Sequence, residues 1–187
     1  MQPLANESAI IAQVIVNQDG QAFEQLVKYY QQSVRQYCRR LSVNDFSLAD
    51  DLAQETFWQA FRKIAKFEGR GKFQSWLFSI AYFQFLQHLR AKKNYDELDE
   101  SLSEEAHVDA VLIRKDLEVA MTKLKTNERA CLTLQYSFGY SQEEVSQILH
   151  LPLGTVKSHC RRGKERLSIM LAVATDTSNT KAIDGAA

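Results

Sequence analysis

The sequence predicts an all-α protein of two small helical domains joined by a flexible acidic linker. Three observations carry that prediction. Apolar residues recur at three- and four-residue spacing through most of the chain, and no alternating valine-rich run competes with that period. Proline (2) and glycine (7) are scarce among the 187 residues, which disfavours a turn-rich β fold. Charge sums to zero but is segregated, with cations gathered in two segments and carboxylates in the stretch between them. A hydrophobic content of 45% is enough to bury a core, and the length allows one domain or two small ones.

The first domain is expected over residues 10–93. Residues 1–8 carry little pattern and are expected to fray. Phe23, Leu26, Val27, Tyr30, Val34 and Tyr37 then fall at helical spacing, in a helix that runs to about Leu41. Asn44 to Leu48 reads as a break. In the next helix Ala53, Phe57, Ala60, Phe61 and Ile64 form the apolar side, with Leu48, Leu52, Thr56 and Gln59 on another. Asp50, Asp51 and Glu55 sit in its early turns, where carboxylates favour the helix dipole. The stretch Phe67–Arg90 opens on a loop with Gly69 and Gly71, carrying Arg70 and Lys72. It continues as a helix with two apolar stripes, Trp76, Ile80 and Phe83 on one, Phe78, Tyr82, Phe85 and Leu89 on the other. One stripe is enough to pack a surface helix. Two mean burial nearly all round, or a face that awaits a partner. A cationic glycine loop beside exposed aromatics suits unstacked nucleotides, because cations hold phosphates and rings stack on bases at roughly 1–3 kcal/mol each. An ordinary core helix is the competing reading.

Residues 94–110 hold Asp96, Glu97, Asp99, Glu100, Glu104, Glu105 and Asp109 and read as a linker extended by self-repulsion. The second domain is expected over 111–172. Val111–Leu124 resumes helical periodicity, and Thr126 is the expected N-cap of a helix through Ala130, Leu132, Leu134 and Tyr136. Gly139 punctuates it. Ser141 and Glu144 form a capping box before the helix Gln142–Leu149. Pro152 disfavours helix at Leu151, so His150–Pro152 is a turn, and a further helix runs from Leu153 to about Met170. Residues 173–187 are small, polar and aperiodic and are expected to be a disordered tail. Residues 141–166 thus read as a helix-turn-helix. Its second helix carries Thr155, Lys157, Ser158, His159, Arg161 and Arg162 outward, with Val156 and Leu167 on the inner side. Such a helix fits the major groove, with its N-terminal residues at base edges and its cations at phosphates. A plain αα-hairpin with a solvated basic face is the alternative.

Other chemistries find little support. Cys38, Cys131 and Cys160 are odd in number, far apart and form no C-x-x-C pair, which suits a reducing compartment and neither a zinc knuckle nor a disulfide framework. The most apolar window, Phe73–Leu89, holds too many polar groups for a membrane span, and no secretory signal is seen. A cytoplasmic protein without membrane insertion is expected. The chain has no metal-spaced His/Cys/Glu set, no P-loop and no nucleophile motif. Accordingly no cofactor, no metal, no catalytic residue and no enzymatic activity are expected.

Two sets of motifs carry a family resemblance. The stretch SQEEV at 141–145 followed by LGTVKS at 153–158 resembles region 4 of bacterial RNA polymerase sigma factors, in the extracytoplasmic-function (ECF) subfamily of the sigma-70 family. In the first half, Ala22, Phe23, Asp51, Leu52, Gln54–Phe57, Ala60, Phe61, Phe73, Ser75–Phe78, Ile80 and Ala81 resemble region 2 of that family. The two sets stand in the expected order with an acidic linker between them. The resemblance implies a subunit that binds core polymerase and directs promoter-specific initiation. Region 2 would read and open the −10 element, and region 4 would read the −35 element through the major groove. It implies core-polymerase contact, on the β′ clamp, at Asp51, Gln54, Glu55 and Phe57. It places −10 contacts at Arg70, Lys72, Phe73, Ser75, Tyr82, Phe83 and Arg90, with Trp76 in the core. It places −35 contacts at Gly154, Thr155, Lys157, Ser158, His159, Arg161 and Arg162. The implied partners are core polymerase (β′ and β), promoter DNA and an anti-sigma factor, and the acidic linker would thread toward the active-site channel. The chain departs from the family at Tyr82 and Phe83, where relatives carry a basic or aliphatic residue and Asn. His159 stands for a common Arg, and Gly163 for a common Ala at roughly 1 kcal/mol of helix stability. The rival is a stand-alone helix-turn-helix regulator on duplex operators, which would need a dimer interface and tight binding without polymerase.

Overall fold

The computed structural model describes Leu4 and residues 6–43, 45–96 and 112–184, and every regular element among them is helical. The helices are α1 (Glu7–Asn17), α2 (Gly20–Leu41), α3 (Phe46–Lys63), α4 (Phe73–Asp96), α5 (Leu112–Thr122), α6 (Thr126–Leu132), α7 (Gln142–Leu149) and α8 (Leu153–Asp184). The chain divides into two compact units, essentially α1 to α4 and α5 to α8.

In the first unit, α2 begins where the Asp19 carboxylate accepts the backbone N–H groups of Gln21 at 2.8 Å and Ala22 at 3.1 Å. The Ala22 bond leads in holding the Asp19 carboxyl below its ordinary range. Asp45 caps α3 in the same way, accepting from the Leu48 N–H at 3.0 Å. Helices α2, α3 and α4 pack pairwise around Leu26, Val34, Tyr37, Leu41, Leu52, Leu77, Phe78 and Phe85. The Tyr37 and Phe78 rings meet at 4.7 Å between centroids. Cys38 is buried in this core, and burial, then the nearby Asp50 charge, pushes its thiol up to about 12. It is a packing group.

Three expectations need correction here. The stretch expected to fray reaches into α1, whose Ile11 and Val14 are buried. In α3 the buried side is Ala49, Leu52, Ala53, Thr56 and Ala60, while Phe57 is only half-buried. Thr56 tolerates that place because its hydroxyl donates to the Leu52 carbonyl at 2.6 Å. Helix α4 runs on to Asp96, into the expected linker, and linker residues 97–110 lie outside the described residues.

In the second unit the cap of α6 is Lys125, one residue before the expected Thr126. From Leu132 the helix widens into a π turn over Thr133–Ser137. The capping box of α7 is reciprocal: the Ser141 N–H donates to Glu144 at 2.8 Å and the Glu144 N–H to Ser141 Oγ at 3.1 Å. The turn into α8 is closed from both sides, since the Leu151 N–H donates to the Ser146 carbonyl at 3.1 Å and Ser146 Oγ to the Leu151 carbonyl at 2.5 Å. Arg129 is buried and its guanidinium donates to the Leu124 carbonyl at 3.2 Å, near the end of α5; burial holds it below the ordinary arginine range.

Helix α8 buries Val156, Cys160 and Gly163, one face at i, i+4 and i+7. A Cβ on Gly163 would stand 2.8 Å from Leu132 Cδ1 and 3.4 Å from Glu128 Cβ. The glycine is therefore a close-approach residue between α6 and α8. Leu132 is itself buried and has little room to move. Gly163→Ala is expected to lose roughly 1 kcal/mol net in urea unfolding, because overpacking outweighs the gain in helix propensity. Helix α8 also continues past Met170 to Asp184, through most of the stretch expected to be disordered. Extending an existing helix needs no new nucleus, so weak formers are carried along.

Candidate polymerase and nucleic-acid interfaces

Helix α3 presents Asp51 and Gln54 to solvent, with Glu55 and Phe57 half-buried. Glu55 accepts from the Gln59 side-chain amide at 2.7 Å, which fixes its carboxylate along the helix. Phe57 and Gln54 border an apolar groove of about 440 Å³ between α2 and α3, with Phe23, Val27, Trp58 and Phe61. Trp58 is 57% exposed and shares a face with Asp51, Gln54 and Glu55. The sequence reading missed it, although an aromatic seven residues after Asp51 on a charged face was a usable signal.

The loop before α4 turns twice through left-handed glycines, Gly69 at φ 71° and Gly71 at φ 86°. It exposes Arg70 and Lys72. Arg70 pairs with Glu68, also exposed, at 3.3 Å. The two stripes of α4 have different fates. Phe78, Tyr82 and Phe85 are buried, whereas Trp76 and Ile80 are half-buried and Phe83 is exposed. One stripe is core and the other faces outward. Two of the residues expected at the −10 element are buried. Phe73 and Tyr82 are 2% exposed each. Phe73 packs among Tyr30, Phe67 and Trp76 at 5.1–5.6 Å between ring centroids, so it shapes the loop from beneath. Trp76, expected in the core, sits half-exposed at that cluster's edge. Ser75 is half-buried, and Arg90 is exposed further along α4.

On α8 the outward face holds Gly154, Lys157, Ser158 and Arg161, with Thr155, His159 and Arg162 on its flank. Lys157 is exposed and makes no ion pair among the described residues. Arg161 pairs along the helix with Glu165 at 2.8 Å. Arg162 is drawn toward the protein: its Nε lies 3.9 Å from Glu128 Oε1, and its Nη2 lies 3.4 Å from His159 Nδ1. Burial first, then the Arg162 charge, holds the His159 imidazole below its ordinary 6.5. The folded unit favours the neutral ring, so this contribution is present above pH 6.5 and is lost as pH falls through the lowered value. A urea midpoint that drops on acidification from pH 7.5 to pH 5.5 (about one unit either side of the free value), with a smaller drop in His159→Gln, is the expected result. Cys160 and Cys131 are both buried and share a hydrogen bond, which holds the Cys160 thiol low and the Cys131 thiol high.

Among the described residues no group of three His, Cys, Asp or Glu side chains could hold a metal ion, and no helix is long and apolar enough to cross a membrane. The fold and its exposed faces define a bipartite protein, with a basic helix-turn-helix in one unit and an outward aromatic stripe beside a cationic loop in the other. Residues 26–95 match the family model Sigma-70 region 2, and residues 114–167 match Sigma-70, region 4. ECF RNA polymerase sigma factor SigW of Bacillus subtilis (strain 168) is 31% identical over 166 residues, covering 80% of this chain and 88% of that protein. RNA polymerase sigma-H factor of Pseudomonas aeruginosa is 29% identical, covering 80% of this chain and 86% of that protein. Among solved structures, the sigma factor RpoE in complex with the anti-sigma factor NepR, from Bartonella quintana, superposes with a TM-score of 0.71 at 26% identity, covering 81% of this chain and 97% of that one. The chain belongs to the sigma-70 family and is an RNA polymerase sigma factor of the ECF subfamily.

Proposed function

We propose that the two units divide promoter recognition as follows. The first docks on the β′ clamp of core polymerase through the α3 face around Asp51, Gln54, Glu55, Phe57 and Trp58. Its glycine loop and the outward stripe of α4 hold unpaired −10 nucleotides. The second unit lays α8 into the major groove of the −35 element, with Lys157 and Arg161 at phosphates and Gly154, Thr155, Ser158 and His159 near base edges. Arg162 divides its charge between Glu128 and the DNA. Polymerase holds both units on one template, so the second contact becomes effectively intramolecular and two weak readers act as one selective reader. The protein acts as a cytoplasmic specificity subunit and not as a catalyst. An anti-sigma protein is a natural partner, since the similar sigma factor RpoE of Bartonella quintana was solved in such a complex.

The observation that carries this reading is the outward aromatic stripe of α4 beside a cationic loop, in the same chain as a basic helix-turn-helix. A stand-alone regulator has no use for the first surface. The test is transcription in vitro with purified chain and core polymerase, with start sites mapped on genomic templates. Specific starts that depend on the chain are expected; their absence on every template refutes the reading. A finer prediction concerns Lys157. Its replacement by Ala should lower the salt slope of promoter binding by about one unit, measured by titration from low to physiological salt. An unchanged slope would move the phosphate contact off this residue.

A further inference from the structure

The proposed −10 surface has a side wall that neither family model reaches. A cleft of about 520 Å³ opens beside the glycine loop, walled by Glu7 and Ser8 of α1, Tyr29 and Tyr30 of α2, and Phe67 and Lys72 of the loop. Helix α1 lies before residues 26–95, the span of the region 2 match. The cleft is of a size that holds small ligands, with room for a single base. The half-buried rings of Tyr29 and Phe67 offer aromatic surface, and exposed Lys72 places a cation at the rim.

One wall carries an anion, which is unexpected beside DNA. The Tyr30 hydroxyl donates to Glu7 Oε1 at 2.9 Å, and Tyr30 is itself buried and fixed edge-on against Tyr29 at 4.7 Å. That bond orients the carboxylate and leaves Oε2 able to accept from a ligand. A carboxylate facing a nucleotide repels phosphates and base carbonyls, and it is favourable only toward a donor. The donor that bases offer most openly is an exocyclic amino group, as when Glu accepts from cytosine N4. Thymine has none, and its single ring N–H is flanked by two carbonyl oxygens. The arrangement therefore selects by repulsion as well as by attraction.

We propose that Glu7, held by Tyr30, reads the amino group of an unpaired base captured in this cleft and so discriminates against thymine at one −10 position. This rests on the reading of the loop and α4 as the −10 surface. Glu7 also ties α1 to α2, so the test must separate specificity from folding. Four templates per position, differing only in the base at each −10 position of a mapped promoter, are transcribed by holoenzyme carrying wild-type, Glu7→Gln or Tyr30→Phe chain. Thermal unfolding of each chain is measured alongside. At one position the wild type is expected to initiate about tenfold or more better on an amino-bearing base than on thymine, the discrimination worth one charged hydrogen bond. Glu7→Gln, whose amide offers both a donor and an acceptor, should shrink that ratio to roughly threefold or less while the start site stays in place. Tyr30→Phe should fall between them. A wild-type ratio kept by Glu7→Gln at every position would overturn the proposal. So would an equal loss on all four templates with a lowered unfolding temperature, which is a structural role alone. If wild-type holoenzyme starts nowhere specifically, promoter recognition fails as a reading and this inference falls with it.

Discussion

Glu128→Ala should lower the stability of the second unit by about 2–3 kcal/mol, just under the roughly 3–5 kcal/mol for breaking a fully buried ion pair. Glu128 is 1% exposed, yet it lies among three donors. Its Oε2 accepts from Arg166 at 2.9 Å and from the Lys125 N–H at 3.3 Å, and Oε1 faces Arg162 at 3.9 Å. One carboxylate thus caps α6 and clamps α8 across the seam where Gly163 lets the helices meet. Removing it leaves two guanidiniums without their anion and a helix start without its acceptor. The arginine side chains keep 38% and 47% exposure, so water can rehydrate them, which holds the loss below the most severe cases. Denaturant unfolding with hydrogen exchange on α6 and α8 measures it. A loss under about 1 kcal/mol would show that the seam is held by packing alone. Arg166→Ala should cost less, and the double variant less than the sum, because the two groups share one interaction.

The second large effect is expected at the α3 face. Trp58→Ala should weaken binding to core polymerase by about thirtyfold or more, the scale of an aromatic hot spot at an interface centre. The side chain is 57% exposed in the free protein and borders an apolar groove with Phe57 and Phe61. Folding has little stake in it, so the unfolding free energy should change by no more than about 0.5 kcal/mol. Titration of labelled chain with core polymerase separates the two quantities. Full affinity with Trp58 removed would place the docking surface elsewhere on the unit.

Much of this architecture was legible in the sequence because it rests on local rules. The helix-turn-helix was fixed by Ser141 and Glu144 at one end of α7 and by Pro152 at the turn, each acting within a few residues. The two stripes of α4 were legible as stripes. Periodicity tells which residues share a face but not which face the neighbours cover, so it did not show that Phe73 lies under Tyr30 and Phe67 or that Tyr82 is buried. The same limit hid Trp58 and the inward turn of Thr56. Charge counting likewise overlooked that Arg162 and Arg166 answer a carboxylate more than thirty residues earlier, since ion pairs across a fold leave no spacing in the sequence. Helix α1 was missed because Ile10, Ile11, Val14, Ile15 and Val16 run round the helix without marking one face, and only the packed fold shows that Ile11 and Val14 are the buried ones.

That the outward stripe of α4 holds a separated DNA strand while α8 holds the duplex is proposed above. It is tested most directly by placing a photoreactive phenylalanine at exposed Phe83 and crosslinking within the open complex formed with core polymerase. A crosslink to an unpaired non-template nucleotide of the −10 element, absent from the closed complex, is the expected result. Crosslinks confined to protein in both complexes would contradict it.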